Sequence, residues 1–259
     1  MARVVFVHAH PDDEAIFTGG TISLLIDRGH QVSLVVATGG ELGIGTGGSD
    51  AIAEQRRGET LASCAALGLN DPHDVSFLDY QDSGLHGENN AGLAAQDPLK
   101  AAAAIAASLE NAESPVDAVV GYDANGIYGH PDHVAVYRIT QALADLLETR
   151  SGTRPTIYES TVDREYLHFV ETHVVVDAQG GRPIGRGLSA TDLGSATLEI
   201  DVSIDVSSVL EPKRAALAAH SSQLPADAPM FELGQANFAA VYGWEWYRRV
   251  GPVGVLDQL

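Results

Sequence analysis

The chain opens on an unbroken apolar, β-branched run at residues 4–7, stopped by His10, Pro11, Asp12, Asp13 and Glu14, with an amphipathic stretch directly behind. An apolar run that ends in a Pro-Asp turn predicts a strand, a tight turn and a helix. Apolar side chains recur at helical spacing over residues 16–28 and stop at Gly29, a residue suited to ending a helix. Residues 31–37 form a second short apolar run, and strand, helix, strand in this order predicts the right-handed parallel crossover of a doubly wound α/β fold.

Further along, the pattern predicts helices over 51–67, 98–111, 134–147 and 209–220, the last capped by Ser207 or Ser208, and a short helix over 163–169. It predicts strands at 75–78, 117–122, 156–161, 173–176 and 198–202. Residues 38–48 are glycine-rich and follow a strand, but they lack both the Gly-Lys-Ser/Thr ending and the GxGxxG spacing of phosphate cradles, so they read as an active-site loop. Residues 179–189 read as loop. Phe231, Phe238, Tyr242, Trp244, Trp246 and Tyr247 form an aromatic cluster expected to cover a sheet edge or the pocket rim.

Composition narrows the function classes. With 35 acidic against 15 basic residues the net charge is −20, which repels phosphate backbones and anionic lipid and argues against nucleic-acid and membrane partners. No apolar run approaches a membrane span, no signal-peptide pattern is present at the start, and the expected location is cytoplasmic. The single cysteine, Cys64, lies among Ala and Leu in a helical pattern and reads as a small buried apolar residue. At 259 residues the chain suits one α/β domain. Residues from about 155 to 259 are expected to complete the sheet and cover the pocket, and a homo-oligomer stays open.

The chemistry gathers at the first turn. Side chains at the carboxyl end of a parallel strand face the crevice where open α/β sheets bind ligands. His10 and Asp13, three residues apart, are both good zinc donors there, but a catalytic zinc takes three protein ligands. Residues 129–133, GHPDH, sit at a second strand-to-helix junction and are the natural source of the third. A lone His or Asp beside a turn is ordinarily a cap or a solvated polar group. That does not explain two histidines flanking prolines in two parallel settings.

These two stretches resemble the LmbE-like, PIG-L-type zinc-dependent N-acetylglucosamine deacetylases, whose signatures are an AHPDDE box and a downstream HPDH box; Ala9 to Glu14 and His130 to His133 match both without a gap. The resemblance implies a Rossmann-like, mostly parallel sheet with helices on both faces. It implies one Zn2+ per chain on His10, Asp13 and His133, with Asp12 as general base and then acid to the leaving amine. His130, oriented by Asp132, would stabilise the oxyanion, helped by Tyr128, while Glu14 braces the first box. By the same resemblance Arg56, with Arg57 as competitor, lies at the substrate pocket. Asp82 of an Asp-Ser-Gly turn would bind sugar hydroxyls, and KRAALAAHSSQ at 213–223 is similar to the family's closing helix. The implied reaction is removal of an N-acetyl or other N-acyl group from an N-acetylglucosamine-type sugar or its conjugate. The alternatives are cleavage of another small-molecule amide on the same zinc site, or a non-catalytic zinc- or sugar-binding member. His8 is extra, and His8 to Asp13 approximates the HxHxDH of metallo-β-lactamase-like hydrolases and the HxH of amidohydrolase barrels. Asp13 stands where the former needs a histidine, and no eightfold strand-helix alternation supports the latter.

Overall fold

The computed structural model describes residues 1–46, 48–109, 114–170, 193–224, 226 and 228–259. The first apolar run is strand β1 (Arg3–His8), followed by helices α1 (Asp13–Phe17) and α2 (Gly19–Asp27) and strand β2 (Gln31–Thr38). Helix α3 (Ser49–Ala66), strand β3 (Val75–Tyr80), helix α4 (Pro98–Ser108) and strand β4 (Ala118–Tyr122) come next. A kinked turn, α5 (Gly126–Gly129), leads into the long helix α6 (Pro131–Ser151) and then strand β5 (Thr156–Thr161) and helix α7 (Arg164–Val170). The remainder is β6 (Val202–Asp205), α8 (Leu210–Ala219), α9 (Pro229–Glu232), α10 (Gln235–Tyr242) and β7 (Trp244–Val250).

The strands form one seven-stranded sheet in the order β3-β2-β1-β4-β5-β7-β6. The first five are parallel, and β7 runs antiparallel between β5 and β6. Both faces are covered, which is why β1 is apolar at consecutive rather than alternate positions. Val4 and Phe6 pack with Ile22, Leu25, Cys64 and Leu217 on one face, while Val5 and Val7 pack with Ile105, Val136 and Ile139 on the other. The chain leaves β1 toward β2 on one side and later returns to β4 on the other, so the crevice beyond β1 and β4 is the sheet's topological switch point.

Several expectations are corrected. The helix expected over 16–28 begins at Asp13 and breaks at Thr18, whose hydroxyl bonds the Glu14 carbonyl (3.2 Å) and His8 Nε2 (2.8 Å). Diversion of a helical carbonyl by a hydroxyl, followed by Gly19-Gly20, accounts for the kink. The strand expected at 198–202 instead starts at Val202, after a 3₁₀ turn at Thr197–Glu199. Neither Ser207 nor Ser208 caps the helix behind it by its side chain; they form a 3₁₀ turn, Ser207–Val209, whose Ser207 amide donates to Asp205 Oδ1 (2.9 Å). Half of the aromatic cluster is strand β7. The strand expected at 173–176 and the loop at 179–189 lie outside the described residues, as does the end of the helix expected over 98–111. Among the described residues no helix is long and apolar enough to cross a membrane.

Candidate active site

The first corner is fixed by main-chain bonds. Thr38, ending β2, gives both its amide and its hydroxyl to the Ala9 carbonyl (2.9 Å each), which anchors the chain just before His10. Asp12 then takes φ +109° and ψ −28°, left-handed backbone that a residue with a Cβ adopts only under constraint. Its carbonyl accepts the amides of Ala15 (3.1 Å) and Ile16 (3.0 Å), so it starts α1, but its side chain makes no capping bond. The Asp12 carboxylate is thereby left for other work.

The second corner arises at the start of α6. Pro131 occupies the first turn, where its missing amide costs nothing. His130 is the N-cap, its Nδ1 accepting the Asp132 amide (3.1 Å). One turn on, His133 is fully buried and stacks on Tyr122 at 4.1 Å between ring centroids.

The two corners meet. Asp13 Oδ2 lies 3.4 Å from His10 Nδ1 and 3.4 Å from His133 Nε2. The same oxygen accepts the Tyr122 hydroxyl (2.7 Å) and the His10 amide (2.8 Å). Nitrogens of His10, His130 and His133 lie within 4.8 Å of one another, and a second such group is His10, Asp82, His130 and Asp132. Two donors at zinc distances of about 2.0–2.1 Å and a tetrahedral angle stand about 3.3 Å apart. The Asp13 spacing to both imidazoles therefore suits a shared small cation, and imidazole with carboxylate is a zinc-type donor set.

The electrostatics agree. Burial opposes charge on His10, but the carboxylates of Asp13, Asp132 and Asp82 outweigh it and hold His10 up at about 10. Asp13 is held well below the usual carboxylate range, burial notwithstanding, by His133 and His10. Burial and Asp13 push the Tyr122 phenol well up, so it stays a donor. Burial, then the neighbouring Asp13, raises Asp12 to about 7, with Arg56 pulling the other way. Burial, then His10 and His133, lowers His130 to about 4.

Of the residues expected at the substrate, Arg56 is buried: its guanidinium reaches the Pro11 carbonyl, Gly40 O (2.7 Å) and Asp12 Oδ2 (3.1 Å). Arg57 faces away, paired with Asp79 and lying over the Phe77 ring. Asp82 accepts the Gly84 amide (2.8 Å) and lies 3.7 Å from His10 Nε2. The Tyr128 hydroxyl is 3.5 Å from His133 Nε2. His10, Asp12, Asp13, Arg56, Asp82, Tyr128 and His130 line one open cleft of about 460 Å³.

Asp132 holds His130 through its main-chain amide, while its carboxylate bonds His10 Nε2 (3.2 Å) and the amides of Ser83 (2.9 Å) and Ala94 (3.1 Å). The sequence pattern marks Tyr122 only as the end of a strand, although it joins Asp13, the Ala9 amide (2.9 Å) and His8 Nδ1 (3.0 Å). His8 is neutral, since burial lowers it to about 4. Glu14 pairs with buried His220 at 2.6 Å, and Lys213 with buried Glu245 at 2.6 Å; neither pairing is apparent from spacing.

Fold and site together define a class: a Rossmann-like α/β protein with a histidine-carboxylate centre at the switch point, furnished for metal-assisted hydrolysis. Residues 5–144 match the PIG-L family, GlcNAc-PI de-N-acetylase, and the chain belongs to it. A 1D-myo-inositol 2-acetamido-2-deoxy-alpha-D-glucopyranoside deacetylase of Acidothermus cellulolyticus is 33% identical over 94% of this chain and 87% of its own length. Among solved structures, an N,N'-diacetylchitobiose deacetylase from Pyrococcus horikoshii aligns over 96% of this chain and 83% of its own, with TM-score 0.59 and 22% identity. A 4-carboxy-2-hydroxymuconate hydratase from Pseudomonas putida aligns over 98% of both chains, with TM-score 0.62 and 16% identity. These two show the fold alone.

Proposed function

We propose that the chain is a zinc-dependent N-deacetylase acting on a glucosaminide, with 1D-myo-inositol 2-acetamido-2-deoxy-alpha-D-glucopyranoside as the foremost substrate. The observation that carries this is the pair of 3.4 Å spacings from Asp13 to His10 and His133, with Asp12 beside them and outside the donor set. In this reading residues 1–259 work as one domain. His10, Asp13 and His133 would hold one Zn2+ per chain; Asp13 is preferred to His130 because it faces both other donors and Tyr122 fixes it. A zinc ion there would supply Lewis-acid polarisation of the acetamide carbonyl and of the attacking water.

The chain's own groups do the rest. Asp12, with a pKa of about 7, takes the proton from water and hands it to the departing amine; a positioned base of this kind is worth roughly 10²–10⁴-fold. His130 is neutral and accepts the Asp132 amide at Nδ1, so its proton sits on Nε2, ready to donate to the carbonyl oxygen as charge develops. Tyr128 sits at the same mouth as a second donor, and Asp82 can accept from a sugar hydroxyl. Arg56 acts at the pocket by gripping Asp12. The product is a free amino sugar plus acetate, and the acidic chain offers no purchase to nucleic acid or anionic lipid, in keeping with a cytoplasmic enzyme of small molecules.

The test is acetate release from that inositol glycoside, from N-acetylglucosamine and from N,N'-diacetylchitobiose, before and after chelation. Release that stops with chelator and returns with zinc is expected. A zinc-loaded protein that frees no acetate from any of the three overturns the proposal.

A further inference from the structure

We infer that His220, acting through Glu14, is a positioning residue that holds the backbone of Asp12 in the conformation aiming its carboxylate into the cleft. The inference rests on the reading of Asp12 as the base. At φ +109° the Asp12 backbone is disfavoured for any residue with a Cβ and persists only where neighbours over-determine it. Its amide donates to Glu14 Oε2 at 3.1 Å, and the other oxygen of Glu14 meets His220 Nε2 at 2.6 Å. Glu14 and His220 are both fully buried, so water is not at hand to replace either contact.

His220 reaches this pair from the far end of the chain, 206 residues from Glu14 in sequence. It ends α8, and among the described residues its Nδ1 has no hydrogen-bond partner. The polar reach of the ring is thus spent on Glu14. An ionised carboxylate in so dry a place needs a partner, and His220 is what lets Glu14 stay there to receive the Asp12 amide. Arg56 closes the same turn from the opposite side through Pro11 O and Asp12 Oδ2.

The residues after His220 extend the brace. Ser222 Oγ bonds Glu59 Oε2 (2.7 Å) on α3, the helix that carries Arg56. Gln223 exchanges two bonds with the main chain of Ile44 (3.0 and 2.7 Å), pinning the glycine-rich loop beside the cleft. The His-Ser-Ser-Gln turn therefore ties the first corner, α3 and the loop into one frame.

The test compares His220→Gln, whose amide can still donate to Glu14, with His220→Met, of similar length and no donor. Both are assayed as zinc-loaded enzyme at matched metal content, alone and combined with Asp12→Asn, and amide exchange at Asp12 is followed alongside. His220→Gln should keep kcat within about threefold. His220→Met should lose roughly 10²-fold in kcat with KM unchanged, the scale of a misplaced reacting group, with faster exchange at Asp12 and no further loss in the Asp12→Asn background. The inference is overturned if Met and Gln behave alike, or if the Met variant loses the same factor without Asp12. Should His220→Met not fold, His220→Gln decides: retention within threefold with exchange at Asp12 unchanged supports the inference, and any greater loss at full metal content overturns it. Full activity in Asp12→Asn alone would sink the base assignment and leave the His220 contact a structural matter, so the two failures are distinct.

Discussion

His130 turns on the location of one proton. Because Nδ1 accepts the Asp132 amide and the ring is neutral, Nε2 carries the proton, and on the proposed function it would stabilise developing charge. His130→Ala should lower kcat by roughly 10²–10³-fold, as loss of an oxyanion donor does, with metal content kept. Loss of metal in that variant would place His130 among the ligands. Tyr122 lies one step further out, its hydroxyl donating to the Asp13 carboxylate that would hold the metal. Tyr122→Phe should weaken zinc affinity about 10–100-fold, the usual cost of losing a group behind a metal ligand, measured by competition with a chromophoric chelator. That His10, Asp12, Asp13, His130 and His133 gather at one place was legible because each box is a short run of unusual residues at a strand-to-helix junction. Tyr122 and the Asp132 carboxylate were not. Their contacts depend on how β4 lies against β1 and on the path of residues 83–94, and nothing local in the sequence encodes that.

At the scale of elements, the parallel half of the sheet followed from its apolar runs, and β5 was expected over the residues it occupies. The antiparallel half was harder. Strand β7 mixes two arginines with aromatics because part of it faces out, and β6 is only four residues long. The break between α1 and α2 was hidden because Thr18 and Gly19 interrupt no apolar stripe. Gly20 shows what the break serves: a Cβ there would stand 2.4 Å from Val206 Cβ, and its amide donates to Glu245 Oε1 (2.8 Å). Gly20→Ala should therefore destabilise by about 1–3 kcal/mol, seen as a fall of several degrees in Tm, with zinc content unchanged in the folded fraction. A Tm equal to that of the wild type would mean that α2 can back away from Val206 without cost.

At the scale of the whole molecule, the sheet order brings together stretches that the sequence keeps apart. β1 and β4 are neighbours, so a box at residue 10 and another at residue 133 open into one crevice. An α/β fold was legible from strand-helix alternation, whereas strand order was not, because apolar runs do not name their partners. The fold supplies the place and the site supplies the chemistry. The central claim is that both corners share one cation, and it is tested by zinc bound per chain after exhaustive dialysis of wild type, His10→Ala and His133→Ala. The expectation is about one equivalent for the wild type and below about a tenth for either variant, since a site left with two protein ligands holds zinc poorly. A full equivalent retained by either single variant would contradict it.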